Sequence, residues 1–178
     1  MDLVGAARRG REEAFLRLFD EHHLPLFRFA YRLVGSVAEA EDIVQESFLG
    51  LLRPECLYDP RRTSVRTYLF GAVRNQALKR HRHRECAEDN IVDTVDCRSP
   101  ETEAMRAELE DTVAQAVLRL PENQRAVLVL ALYEEMPLAE IAQVMEIEVG
   151  AVKSRLQRAR ASLKEKLAAY APGAGGLS

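Results

Sequence analysis

The sequence predicts an all-α fold: two small helical domains joined by an acidic flexible linker. Three observations predict it. Apolar residues recur at three- and four-residue steps nearly everywhere. No alternating run of strand type exceeds about four residues. From residue 85 to 100 the periodicity vanishes and the chain turns polar and acidic, which is the pattern of a linker. The 178 residues suit two small domains, and 47% hydrophobic with 30% charged residues is a normal globular balance.

The elements follow in order. Ala14 and Leu18 belong to a first helix; Leu26, Phe29, Ala30 and Leu33 belong to a second, which Pro25 starts and Gly35 closes. Ser36 caps a third helix over residues 37–52, and Glu39 completes a capping box. Its apolar side carries Val37, Ala40, Val44, Phe48 and Leu51, with Glu39, Asp42 and Glu46 opposite. Pro54, Asp59 and Pro60 mark a loop over residues 53–63. Thr63 or Ser64 caps the next helix, which runs to about Arg84. After the linker, Ser99 and Pro100 start a helix that carries Leu109, Val113, Ala116, Val117 and Leu120. Pro121 and Pro137 each break and restart the helical pattern. A short helix, Leu138 to Met145, precedes a turn at residues 146–148 and a long helix from Val149 to about Ala169. The resulting domains are residues 10–84 and 101–169, with a linker at 85–100 and a disordered tail at 170–178.

Several function classes are excluded. No stretch approaches the ~18 apolar residues of a membrane span, and residues 1–11 lack the apolar core of a signal peptide. Cys56, Cys86 and Cys97 are too few for a disulfide framework and fit a reducing cytoplasm. His22, His23, His81 and His83 have no metal-ligand spacing, and no nucleophile–base constellation, P-loop or dinucleotide fingerprint occurs. No cofactor and no catalytic residue is expected.

The net charge of −3 taken whole argues against a nucleic-acid binder. Its distribution does not. Residues 61–84 hold eight basic side chains and no acidic one, and residues 150–178 hold six and one. The remaining segments are acidic, most sharply residues 85–111, with ten acidic and two basic. Compact basic blocks supply the phosphate-neutralising part of DNA affinity. The last helix also divides its faces as a DNA reader does. Val152, Leu156, Ala159, Leu163 and Leu167 form an apolar seam, and Lys153, Ser154, Gln157 and Arg158 lie away from it. Arg and Gln suit guanine and adenine edges, and Ser154 near the helix start suits a phosphate. On these residues alone, a helical hairpin with a solvated basic face stands equally open.

The residue strings decide between them by resemblance. Leu120-Pro121-Glu122-Asn123-Gln124-Arg125-Ala126-Val127-Leu128, Ala139-Glu140-Ile141-Ala142 and Gly150 to Arg160 together resemble region 4 of bacterial sigma factors. Ala40 to Leu49 resembles region 2.2, and Thr67 to Asn75 resembles the helix of regions 2.3–2.4. Both signatures in this order, with a short linker between, resemble the extracytoplasmic-function (ECF) subgroup of the sigma-70 family. The family usually has a Trp at the Tyr68 step and often a Thr where Ala151 stands; this chain has no Trp.

The resemblance implies a cytoplasmic, non-catalytic specificity subunit that directs transcription initiation. Its implied partners are core RNA polymerase, through the largest and second-largest subunits, promoter DNA and an anti-sigma factor, with no membrane insertion. Glu39, Asp42, Gln45 and Glu46 would dock on the polymerase. Arg61, Arg62, Arg66, Arg74, Asn75, Lys79 and Arg80 would contact the −10 element, near a loop at residues 53–64 that captures an extruded base. Lys153, Ser154, Arg155, Gln157 and Arg158 would contact the −35 element. A stand-alone helix-turn-helix regulator is the alternative; it leaves the first domain unexplained.

Overall fold

The computed structural model describes residues 2–86 and 102–168, with side chains at 2–84 and 110–168. Most of the expected linker, its Ser99-Pro100 helix start and the tail from residue 170 lie outside these residues. Eight helices occur among the described residues: α1 Leu3–Arg8, α2 Glu12–Val34, α3 Val37–Leu52, α4 Val65–Cys86, α5 Thr102–Leu118, α6 Glu122–Leu132, α7 Leu138–Met145 and α8 Val149–Ala168. Helices α1–α4 pack on one another, and so do α5–α8. No described helix is long and apolar enough to cross a membrane.

Two elements differ from expectation. The helices expected on either side of Pro25 are one continuous helix, α2. A proline in a helix interior costs about 3 kcal/mol. Here Ala14 and Leu18 before it, and Leu26, Phe29, Ala30 and Leu33 after it, are all buried on one face. Keeping both halves in line preserves that burial. The short α1 is the second difference. Asp2 caps it, its carboxylate accepting from the Gly5 N–H at 2.9 Å, and it buries Val4, Ala6 and Ala7. Six residues are too few to show a period.

The Ser36 and Ser64 caps form, the capping box at Ser36 only in half. The Ser36 hydroxyl oxygen accepts the Glu39 N–H at 3.4 Å, while the Glu39 carboxylate turns to Arg84. Ser64 accepts the Thr67 N–H at 3.0 Å, which starts α4. Between α7 and α8 the chain turns at Glu146, held at φ 55°, and the Ile147 N–H returns to the Ala142 carbonyl at 3.0 Å. That tight left-handed turn sets α8 against α7.

The two helical units do not stand apart. Their buried side chains form one contiguous cluster, with α4 against α7 and α2 against α5 and α6. Gly35 shows how close the units come. It ends α2 at φ +74°, and an added Cβ would lie 3.2 Å from Leu118 of α5. Only glycine meets both demands without strain.

Candidate nucleic-acid interface

Helix α8 is built as the periodicity predicts. Val152, Leu156 and Ala159 are buried against the second unit. Lys153, Ser154, Gln157 and Arg158 are exposed and Arg155 is half-buried. The Ser154 hydroxyl donates to the Gly150 carbonyl at 3.1 Å, so it must swing to donate to a phosphate. The other three exposed side chains are placed to reach a groove together.

Helix α4 is different. Arg61, Arg62, Asn75 and Lys79 are exposed, and the Asp59 carboxylate accepts the Arg61 N–H at 2.9 Å, shaping the loop before the helix. Leu57 on that loop is 94% exposed. Arg66, Arg74 and Arg80 are engaged within the chain. Arg66 donates to the Glu134 carbonyl at 3.2 Å and lies 3.7 Å from the Glu140 carboxylate. Arg74 donates to the side-chain oxygens of Asn123 and Asn75, both at 3.2 Å. A cavity of about 420 Å³ opens between α4 and α7, lined by Arg62, Thr67, Tyr68 and Asn75 on one side and by Gln143 and Glu146 on the other.

Tyr68 occupies the family's usual Trp position, and its packing is intact. Its hydroxyl lies 3.0 Å from the Cys56 thiol, and the Tyr58 ring meets it edge-on at 5.3 Å. Burial first, and then the Cys56 contact, push the phenol up to about 12, so it stays protonated. These contacts pin the loop to α4.

The acidic face of α3 is also partly engaged. Arg80 lies 3.6 Å from both Asp42 and Glu46, and Arg84 pairs with Glu39. Only Gln45 of the four docking candidates faces solvent without such an ion pair, with Leu49, 49% exposed, one turn further on. The acidic stripe and the basic block, read apart in the sequence, face each other across α3 and α4.

Sequence reasoning missed Arg125. It is 9% exposed, and its guanidinium donates to the carbonyls of Leu33, Leu118 and Leu120, the last at 3.0 Å. It therefore ties the C-terminal ends of α2 and α5, one from each unit. Burial pulls its pKa below the ordinary arginine value. The available signal was one Arg leading the apolar run Ala126 to Leu132. Tyr133 was missed as well; Arg32 of α2 sits 4.1 Å from its ring centre.

Known proteins match this arrangement. The family description for sigma-70 region 2 matches residues 18–85, and that for sigma-70 region 4 matches residues 110–163. The ECF RNA polymerase sigma factor SigW of Bacillus subtilis is 30% identical over 179 residues, covering 92% of this chain and 94% of SigW. SigL of Mycobacterium tuberculosis, also an ECF RNA polymerase sigma factor, is 36% identical over 160 residues, covering 86% and 89%. The structure of CnrH in complex with the cytosolic domain of CnrY aligns with a TM-score of 0.71 at 29% identity, over 94% of this chain and 96% of that one. The sigma factor RpoE of Bartonella quintana, solved with the anti-sigma factor NepR, shares the fold at a TM-score of 0.68 and 22% identity, over 86% and 96%. The chain belongs to the sigma-70 family, in its ECF subgroup.

Proposed function

We propose that the chain binds core RNA polymerase and directs initiation at promoters read through a −10 and a −35 element. The observation that carries this reading is the pairing of two basic helices, α4 and α8, each within a matched sigma region in the family's order. In this reading Gln45, Glu39, Asp42 and Glu46 on α3 dock on the polymerase. Arg158 and Gln157 read base edges in the major groove, Lys153 and Arg155 hold phosphates, and Ser154 adds a contact at the helix start. Arg61, Arg62, Arg66, Arg74, Asn75, Lys79 and Arg80 hold the −10 strand beside the pinned loop. Asn75 alone among them carries both a donor and an acceptor for a base edge, and Leu57 is an apolar group for an unstacked base. Bond making belongs to the polymerase, and the chain acts in the cytoplasm beside it. An anti-sigma protein is the further partner of this reading.

In vitro transcription with core polymerase, followed by mapping of start sites, tests it. Start sites that need this chain are the expected outcome. Sequence-specific DNA binding without polymerase-dependent opening would leave the stand-alone regulator instead.

A further inference from the structure

We propose that α1 holds the −10 loop in the shape that captures a base, with Arg8 as the positioning residue and Leu57 as the tip it positions. The proposal rests on the reading of residues 53–64 as the loop that takes an unstacked base. Helix α1 ends at Arg8, ahead of the matched region 2, which begins at residue 18. The Arg8 Nε donates to the Leu51 carbonyl at 3.0 Å. That carbonyl lies in the last turn of α3, where a helix has no backbone N–H of its own left to offer. Arg8 thereby fixes the point at which the loop leaves α3. The Nη2 of the same guanidinium is buried with no hydrogen-bond partner. Burying that atom unpaired opposes folding, so core packing alone explains this arginine poorly and a clamp explains it better.

The loop itself is two hydrogen-bonded turns. The Cys56 N–H donates to the Arg53 carbonyl at 3.1 Å, and the Arg62 N–H donates to the Asp59 carbonyl at 3.0 Å. Leu57 and Tyr58 join the turns. On either side of Leu57 the neighbours turn inward: the Cys56 thiol meets the Tyr68 hydroxyl, and the Tyr58 ring meets the Tyr68 ring. With both neighbours held, Leu57 projects into solvent. The α1 segment reaches this cluster too. Burial raises the Tyr58 phenol, Asp2 and Asp59 add to the rise, and Arg8 opposes it. Arg8 likewise opposes the rise that burial causes at Tyr68. Helix α1 and its cap thus stand within electrostatic reach of both rings. A tip fixed in this way loses less conformational entropy when a base settles on it than a free loop would.

The test uses the full chain with core polymerase on a promoter duplex whose start site has been mapped. The non-template strand carries 2-aminopurine at one −10 position at a time, and its fluorescence rises when the base unstacks. Leu57→Ala should slow the rise about tenfold and Arg8→Met about fivefold. The double variant should be no slower than Leu57→Ala, because a positioning residue acts through the group it positions. Cys56→Ala should behave as Arg8→Met does, and Cys56→Ser should restore most of the rate, since a hydroxyl can still bond Tyr68. Core affinity serves as the folding control and should stay within about twofold. A slowing by Arg8→Met that multiplies in full with that of Leu57→Ala would mark a structural role only and overturn the proposal. So would a wild-type rate in Leu57→Ala, or in both Arg8→Met and Cys56→Ala. If Arg8→Met loses helical circular dichroism, Cys56→Ala, alone and with Leu57→Ala, decides by the same comparison. A wild-type chain with which core polymerase opens no promoter would instead overturn the functional reading, and the proposal with it.

Discussion

Helices α4 and α8 carry the chain's two basic blocks, and the fold treats them oppositely. Among the described residues, Lys153, Gln157 and Arg158 on the outer face of α8 are exposed. On α4, Arg66, Arg74 and Arg80 are each held by acceptors from elsewhere in the chain. Equal kinds of charge thus have unequal availability. A basic side chain contributes to DNA affinity only if its present partners are given up, and that cost differs between the two helices.

The comparison breaks most severely at Arg125. Arg125→Met leaves buried carbonyls at Leu33, Leu118 and Leu120 without their donor. The expected loss is about 3 kcal/mol in urea unfolding. Arg125→Lys recovers only part of it, because one ammonium cannot span three carbonyls as a guanidinium does. Arg158→Ala comes next. It is expected to weaken the free chain's binding to a promoter duplex by ~1–3 kcal/mol in an anisotropy titration. An unchanged affinity would remove Arg158 from the reading face. The matching change on α4, Arg74→Ala, should alter the free chain's single-strand affinity by less than about twofold, because that arginine is already occupied. With polymerase present it should reduce promoter opening, measured by permanganate footprinting. A large effect in the free chain would erase the contrast between the helices.

A smaller effect concerns α3. Gln45→Ala should weaken core binding by about 1 kcal/mol in a pull-down titration without loss of helical circular dichroism. It is a cleaner probe than Asp42→Arg, which would also set two cations together at Arg80. The smallest effect is at Glu134. Burial raises its carboxyl above the ordinary value, opposed by Arg32, Arg66 and Arg28. A carboxyl with a raised pKa in the packed form favours that packing when protonated, a contribution lost as pH rises through that pKa. Glu134→Gln should therefore favour the packing of the two units at neutral pH, lowering single-strand binding slightly. It should also flatten the rise of single-strand affinity with pH just above the usual carboxylate range.

Much of this protein was legible before folding was considered. Helix α3 starts and ends where Ser36 and the apolar spacing put it, and Val152, Leu156 and Ala159 of the α8 seam are buried where its period says, with Leu163 and Leu167 half-buried. Both follow from contacts between residues a few positions apart, which sequence spacing records directly. Pro25 misled because its penalty is local while the burial that overrides it is spread along both halves of α2. The docking stripe was read without its ion pairs because nothing near Asp42 in the sequence announces Arg80.

The sequence by itself determined the helices, the family and which faces carry charge. Each is set by local periodicity and motif. Only the tertiary structure decided which charges are available. Arg66 meets Glu134 and Glu140, and Arg125 meets Leu33, across 68, 74 and 92 positions of chain. Such pairings depend on how two helical units pack. A side chain's type records its charge but not the partner that already holds it.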